Sequence, residues 1–183
     1  MTSDEQLVTA AKQGSAAAFD ELVQRYQQRL LRFLFTRCAS RADAEDALQD
    51  TFVNAYRYLH SYDSRWRFST WLYRIAIRNA ARRSPADEAF DDAAGGTQDD
   101  PLAACIALSE RENLWLTAKN SLSADAYSAM WLRYVEDMPV ADVAEALRRS
   151  ISWTKVTLMR ARRRLGRELA QEPSMDGRGE IYG

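Results

Sequence analysis

Histidine occurs once in the 183 residues, at His60, and cysteine twice, at Cys38 and Cys105. A single imidazole and no Cys-x-x-Cys pair or Cys/His cluster leave a zinc centre or a redox dithiol without a ligand set, and Ser-His-Asp catalysis with little material. The two separated cysteines read as reduced thiols in or near a core. GxGxxG, Walker and HExxH motifs are also missing, so no cofactor, metal or small-molecule substrate is expected. No run approaches the ~20 apolar residues of a membrane span. The start, MTSDEQL, lacks the basic and apolar segments of a secretory signal. These absences predict a soluble cytoplasmic protein with no membrane insertion. Alternating strand patterns are lacking as well, which points to an all-α fold.

Hydrophobic residues make up 46% of the chain and charged residues 28%, as in a globular protein of one or two domains. The net charge of −1 conceals strong segregation. Between 65 and 83 lie Arg65, Arg67, Arg74, Arg78, Arg82 and Arg83 and no acid. From 148 to 167 the charged residues are again all basic: Arg148, Arg149, Lys155, Arg160, Arg162, Arg163, Arg164 and Arg167. Over 84–100, between these blocks, Asp87, Glu88, Asp91, Asp92, Asp99 and Asp100 stand without a base. Charge acts within a screening length of about 8 to 10 Å, so each block has its own partner chemistry. Lysine occurs only at positions 12, 119 and 155, and the arginine excess suits bidentate phosphate contacts.

Helical periodicity organises the first 84 residues. Ser3 with Gln6 reads as a capping box for a first helix ending near Gly14. Ser15 opens a second, whose Phe19, Leu22, Val23, Tyr26, Leu30 and Phe33 form one buried stripe. Ser40 and Asp43 start a third, with Ala44, Leu48, Thr51, Phe52 and Ala55 inward and Asp46, Gln49, Asp50 and Val53 on another face. Ser69 is expected to cap a fourth, with Leu72, Ile75, Ala76 and Asn79 inward and Trp71, Arg74, Arg78 and Arg82 as an outward row. Pro85 disfavours helix at Ser84 and ends it. Residues 85–100 are acidic, rich in small residues and aperiodic, hence a flexible linker. Asp100-Pro101 restarts helix over 101–171, and 172–183 form a loose tail.

In the second domain Val140, Val143, Ala144 and Leu147 give a short amphipathic helix after Pro139. The polar turn Arg148-Arg149-Ser150 follows, and Ile151-Ser152 leads into another helix with Thr154, Leu158, Ala161 and Leu165 inward. This is a helix-turn-helix pattern, whose second helix enters the DNA major groove by its N-terminal end. An ordinary helical hairpin with a solvated basic face has the same pattern. A conventional helix-turn-helix operator-binding regulator is the alternative class. A nuclease using Asp46, Asp50 and a metal is a second rival, with no third ligand or base in sight.

The strings DAEDALQDTFVNAYR and FSTWLYRIA, followed in order by a helix-turn-helix ending in RARRRL, resemble bacterial RNA polymerase sigma factors of the sigma-70 family, extracytoplasmic-function subgroup. The resemblance spans nearly the whole chain. It implies two small helical domains joined by the acidic linker: 1–84 for core polymerase and the minus-ten element, and 101–171 for the minus-thirty-five element. It implies a non-enzymatic factor that directs transcription initiation in the bacterial cytoplasm. Its partners would be the beta and beta-prime subunits of core RNA polymerase, promoter DNA and an anti-sigma factor. The linker would be a spacer that also threads toward the RNA path.

Carried onto this sequence, the resemblance assigns polymerase docking to Asp46, Gln49, Asp50, Phe52 and Val53. It assigns minus-ten contacts to His60, Tyr62, Arg65, Trp66, Arg67, Trp71, Arg74 and Arg78, aromatic and guanidinium planes on which unpaired bases can stack. For Trp71 and Phe68 a core role stands equally open. Minus-thirty-five contacts fall to Arg149, Ser152, Trp153, Lys155, Val156, Thr157, Met159, Arg160 and Arg163. The chain departs from the family pattern in the bulky Arg65-Trp66-Arg67, in Arg78 where relatives carry asparagine, and in SWTKVTLMRAR over 152–162, where GTVKSRLHRAR is common. Val156 and Thr157 suit thymine-methyl contacts or shape readout.

Overall fold

The computed structural model describes residues 2–82 and 110–171. The linker at 85–100, the Asp100-Pro101 restart, Cys105 and the tail at 172–183 lie outside those residues. Among the described residues the elements are α1 (Asp4–Lys12), α2 (Ala16–Phe35), α3 (Arg41–Arg57), a short 3-10 turn (Leu59–Ser61), α4 (Phe68–Ala81), α5 (Glu110–Ser121), α6 (Ala124–Tyr134), α7 (Val140–Leu147) and α8 (Ile151–Gln171). No strand occurs among them.

Local chemistry sets the helix ends. Ser3 accepts from Gln6 N while the Gln6 side chain accepts from Ser3 N, the reciprocal box that satisfies two otherwise orphaned donors. Gly14 turns the chain at φ 99, a region open to glycine, and Ser15 caps α2 through Ala18 N. Ser40 does the same for α3 through Asp43 N. Two expectations fail at α4. Ser69 is not its cap, because the helix begins one residue earlier at Phe68 with Arg67 at the cap position and no side-chain cap bond. Burial of Phe68 against Tyr26 and Tyr62 fixes that start. The helix also closes at Ala81, before Ser84.

The first group packs the expected stripe of α2 against α3 and α4, with Leu22, Leu30, Phe33, Ala44, Ala55, Leu72 and Ala76 fully or almost fully buried. Polar pins set the register of α3 and α4: Asn79 Nδ2 donates to Thr51 Oγ1 at 3.3 Å, and Thr51 Oγ1 donates to Ala47 O at 2.6 Å. These bonds explain how a buried Asn79 and Thr51 are tolerated. In the second group Leu158, Ala161 and Leu165 of α8 meet Val143 and Leu147 of α7 and Leu132 of α6 in the core. Trp115 stands edge-on to Tyr127 and Trp131, at 5.7 and 5.2 Å.

The two groups share one continuous core rather than standing apart. Phe33 meets Tyr73 edge-on at 5.2 Å and Trp131 at 6.4 Å. Around this seam Arg29 pairs with the buried Glu136, Arg37 donates to Ala124 O at 3.0 Å and Ser128 Oγ at 2.6 Å, and Thr70 donates to Asp142 Oδ2 at 2.8 Å. Arg74 pairs with Glu145. Burial first, and then the neighbouring Glu136 carboxylate, push ionisation of the Tyr73 hydroxyl upward. That hydroxyl and the Trp131 indole N–H are buried with no hydrogen bond of ordinary geometry, beside each other and the Glu136 carboxylate. Replacing Phe33, fully buried at the meeting of three helices, by alanine should cost about 3 to 5 kcal/mol. Urea unfolding checks this; a loss below about 1 kcal/mol would show that the site collapses around the missing ring.

Candidate functional site

On α3, helical spacing brings Asp46, Gln49, Asp50 and Val53 to one exposed face. Beside them a hollow of about 400 Å³ is lined by Phe19, Phe52, Val53, Tyr56 and Arg57. Val53 is 55% exposed and Tyr56 58%, while Phe52 is half-buried and so belongs to both the core and the surface. Tyr56 was not among the expected site residues. Its spacing from Phe52 and Val53 is the signal that places it there, and the Phe19 ring supports it edge-on at 5.0 Å. An acidic rim next to exposed apolar walls fits a partner that is basic and apolar along one face. Among the described residues there is no group of three or more His, Cys, Asp or Glu that could hold a metal ion.

The segment entering α4 divides the expected minus-ten set. His60, Arg65 and Arg67 are exposed and Trp66 is half-buried. Asp63 accepts from Arg65 N at 2.9 Å and Arg65 Nε at 2.7 Å, which tightens the turn and holds the Asp63 carboxyl below its usual range. Tyr62 is 6% exposed and its hydroxyl donates to Trp66 O at 2.6 Å, so it lies beneath the loop. Its ring packs on Phe68 and Trp71, and burial, with the acids Glu5, Asp4 and Asp63 nearby, pushes its ionisation up to about 12. Trp71 lies against Tyr62 at 5.5 Å and Phe68 at 5.8 Å and is half-buried, so it mainly supports the turn. Tyr62 and Trp71 therefore position the loop that presents Trp66. Arg78 is exposed, as expected, whereas Arg74 is half-buried and engaged by Glu145, a departure from the free outward row. Sequence periodicity could not show that contact, because it joins residues 71 positions apart.

The second basic surface lies on α7, the turn and α8. Arg148 closes α7 in the left-handed region at φ 53, the sharp bend between the two helices. Ser150 then accepts from Trp153 N at 3.1 Å, capping α8. Arg149, exposed, is held by Asp125 at 2.7 Å and lies 5.1 Å from the Trp153 ring, so the turn is fastened to α6. Thr154, Leu158, Ala161 and Leu165 are buried as the spacing required. Ser152, Lys155, Val156, Met159, Arg160 and Arg163 are exposed, and Trp153 and Thr157 half-buried, along the outer side. The spacing brings basic and apolar groups together at the N-terminal half of α8. Asp125 is a member of this site that sequence reasoning missed.

Residues 22–85 match the family description Sigma-70 region 2, and residues 113–165 match Sigma-70, region 4. The chain is 33% identical over 175 residues to the ECF RNA polymerase sigma-E factor of Haemophilus influenzae, covering 87% of this chain and 92% of that protein. It is 30% identical over 176 residues to the Escherichia coli K12 protein of the same name, with 87% and 91% covered. Against the RNA polymerase sigma-H factor of Pseudomonas aeruginosa the identity is 29%, over 91% of this chain and 93% of that one. In fold it is similar to CnrH, solved in complex with the cytosolic domain of CnrY, at a TM-score of 0.70 and 23% identity, covering 92% and 98% of the two chains. It is also similar to RpoE of Bartonella quintana, solved with the anti-sigma factor NepR, at 0.58 and 22%, covering 84% and 98%.

The cap on α8 is measurable. Ser150→Ala should lower thermal stability by about 1 kcal/mol, through loss of the bond to Trp153 N. An unchanged melting curve by circular dichroism would show that water replaces the hydroxyl at no cost.

Proposed function

The chain belongs to the sigma-70 family in its extracytoplasmic-function subgroup and directs transcription initiation as a sigma factor, and we propose that its exposed faces divide that work. The α3 face, with Asp46, Gln49, Asp50, Phe52 and Val53, docks on core polymerase. Opposite potential guides the encounter, and the apolar hollow beside it supplies burial once water is expelled. The acidic stripe set against exposed Val53 and Tyr56 is the observation that carries this assignment.

The loop and α4 meet the minus-ten strand. Opening a promoter unstacks bases, and an unpaired base needs a flat partner and a cation nearby. Trp66 offers the plane, the exposed His60, Arg65 and Arg67 of the same segment and Arg78 of α4 offer donors, and Arg74 of α4 is a further cation, paired with Glu145. The outer side of α8 meets the minus-thirty-five duplex: Lys155, Arg160 and Arg163 suit phosphate or guanine, while Val156, Thr157 and Met159 suit thymine methyls. Ser152 and Trp153 at the start of α8, with Arg149 before it, fix the depth of entry. The factor performs no bond chemistry of its own and acts in the bacterial cytoplasm, where polymerase and chromosome are. Among the described residues no helix is long and apolar enough to cross a membrane. An anti-sigma factor that covers these same faces would silence the chain, as a partner of the kind that RpoE of Bartonella quintana is seen with.

Two substitutions separate the roles. Asp50→Arg should weaken association with core polymerase about tenfold or more, a loss of about 1.4 kcal/mol. Trp66→Ala should leave that association unchanged and reduce permanganate-reactive open complexes, since one base stack is worth about 1 to 3 kcal/mol. Equal loss of core binding in both variants, or in neither, would contradict the division.

A further inference from the structure

Helix α1 precedes residues 22–85, the part of the chain that matches Sigma-70 region 2, yet it is fastened to that part at both ends. At its start Arg25 donates to Asp4 Oδ1 at 2.9 Å, and the Tyr26 hydroxyl donates to Asp4 Oδ2. Along its length Leu7, Val8 and Ala11 are buried. In its last turn Lys12 Nζ donates to Tyr62 O at 3.0 Å and lies 5.3 Å from the centre of the Tyr62 ring. A cation at that distance over a ring is attracted by its negative face. One side chain thus holds a residue 50 positions later by its backbone and its ring together.

Residue 62 is the point from which the next turn is built. Its carbonyl stands at the entry, Trp66 N donates to Asp63 O at 3.2 Å within the turn, and the Tyr62 hydroxyl donates to Trp66 O at 2.6 Å at the exit. Displacing Tyr62 therefore displaces the backbone that carries the Trp66 indole. An ammonium suits this place, since three donors on a flexible stem satisfy a carbonyl while the charge faces a ring. After the bonds from Arg65, the same charge also helps to hold the Asp63 carboxyl below its usual range. The packing of Tyr62 on Phe68 and Trp71 does not involve Lys12, so the fold survives its loss while the outer tether of the turn goes.

We propose that Lys12 is a positioning residue for promoter opening, clamping Tyr62 and so setting how Trp66 is presented to an unpaired base. It touches no base itself and acts through Tyr62. The proposal rests on the assignment of this loop to the minus-ten strand. A group held in place in advance loses less freedom when the strand binds, which is the advantage the clamp supplies.

The test uses the full-length chain with Lys12→Met, which keeps the apolar stem and removes the ammonium, and with Lys12→Arg, which keeps a cation able to donate and to stack. Fluorine NMR of the fluorotryptophan-labelled chain follows Trp66 directly, its resonance assigned by its loss in Trp66→Phe. Wild type and Lys12→Arg should share one Trp66 shift. Lys12→Met should displace or broaden it and leave the resonances of Trp115, Trp131 and Trp153 in place, the sign of an intact fold. With core polymerase, and a promoter fragment on which the wild type exposes thymines to permanganate, Lys12→Met should form about threefold or more fewer open complexes at unchanged affinity for core. Lys12→Arg should stay within about twofold of the wild type, and Lys12→Met should cost nothing further in a Trp66→Ala background, because the two residues act as one unit. A direct phosphate contact by Lys12 predicts the reverse: an unmoved Trp66 resonance, a loss that adds to that of Trp66→Ala, and a salt dependence of promoter binding reduced by about one counterion. That result, full opening by Lys12→Met, or a Lys12→Arg variant as defective as Lys12→Met would each overturn the clamp's role. Normal opening by Trp66→Ala, with a Trp66 resonance that still answers to Lys12→Met, would overturn it by way of the loop assignment itself, which distinguishes the two failures.

Discussion

Helix α4 is buried from two sides, and that double burial is the constraint on which the rest of the arrangement depends. Its Leu72, Ile75 and Ala76 complete the core of the first group, while Tyr73, fully buried, turns toward Phe33 on one side and the Trp131 and Glu136 region on the other. A 14-residue helix has few faces to spare. Once two are used for packing, the remaining edge keeps Arg78 exposed and turns Thr70 and Arg74 to Asp142 and Glu145 of α7. Phe68 at its first turn fixes where the preceding loop ends, and Tyr62 and Trp71 packed on Phe68 fix how that loop presents Trp66.

Much of this was legible in the order of residues. The stripe of α2, the outward Asp46, Gln49, Asp50 and Val53, the inward Asn79, and the four buried positions of α8 all follow from a period of 3.6, and the structure places each as the period requires. The capping box at Ser3 was readable because its partners are three residues apart. Tyr62 is an aromatic in a polar loop, and its packing against Lys12, Phe68 and Trp71 could not be read from spacing alone. Ser69 looked like a cap on chemistry alone, but burial of Phe68 set the helix start. The pairings of Arg29, Arg74 and Arg149 were out of reach, since their partners lie 107, 71 and 24 residues away.

The division between support and contact also bears on promoter choice. Arg65 is tied to Asp63 and Arg149 to Asp125, so on the proposed assignment each guanidinium is held in place in advance of DNA. Holding a contact group in position reduces the ordering cost at binding and narrows what it accepts. On α8 the exposed Val156 and Met159 stand beside Lys155 and Arg160 within two turns, so the proposed readout there is both apolar and cationic. That pairing favours thymine next to guanine or phosphate. The bulky Arg65-Trp66-Arg67 and the apolar positions of α8 are the two places where this chain's promoter should differ from those of its relatives.

The central claim is that these helices deliver polymerase to particular promoters. It is tested most directly by reconstituting the full chain with bacterial core polymerase and mapping transcript starts on genomic DNA. The account predicts a limited set of starts that appear only when the chain is present and that share elements about 10 and 35 base pairs upstream, the positions after which those elements are named. Transcripts indifferent to the chain, or sequence-specific duplex binding by the chain alone with no effect on core polymerase, would contradict it.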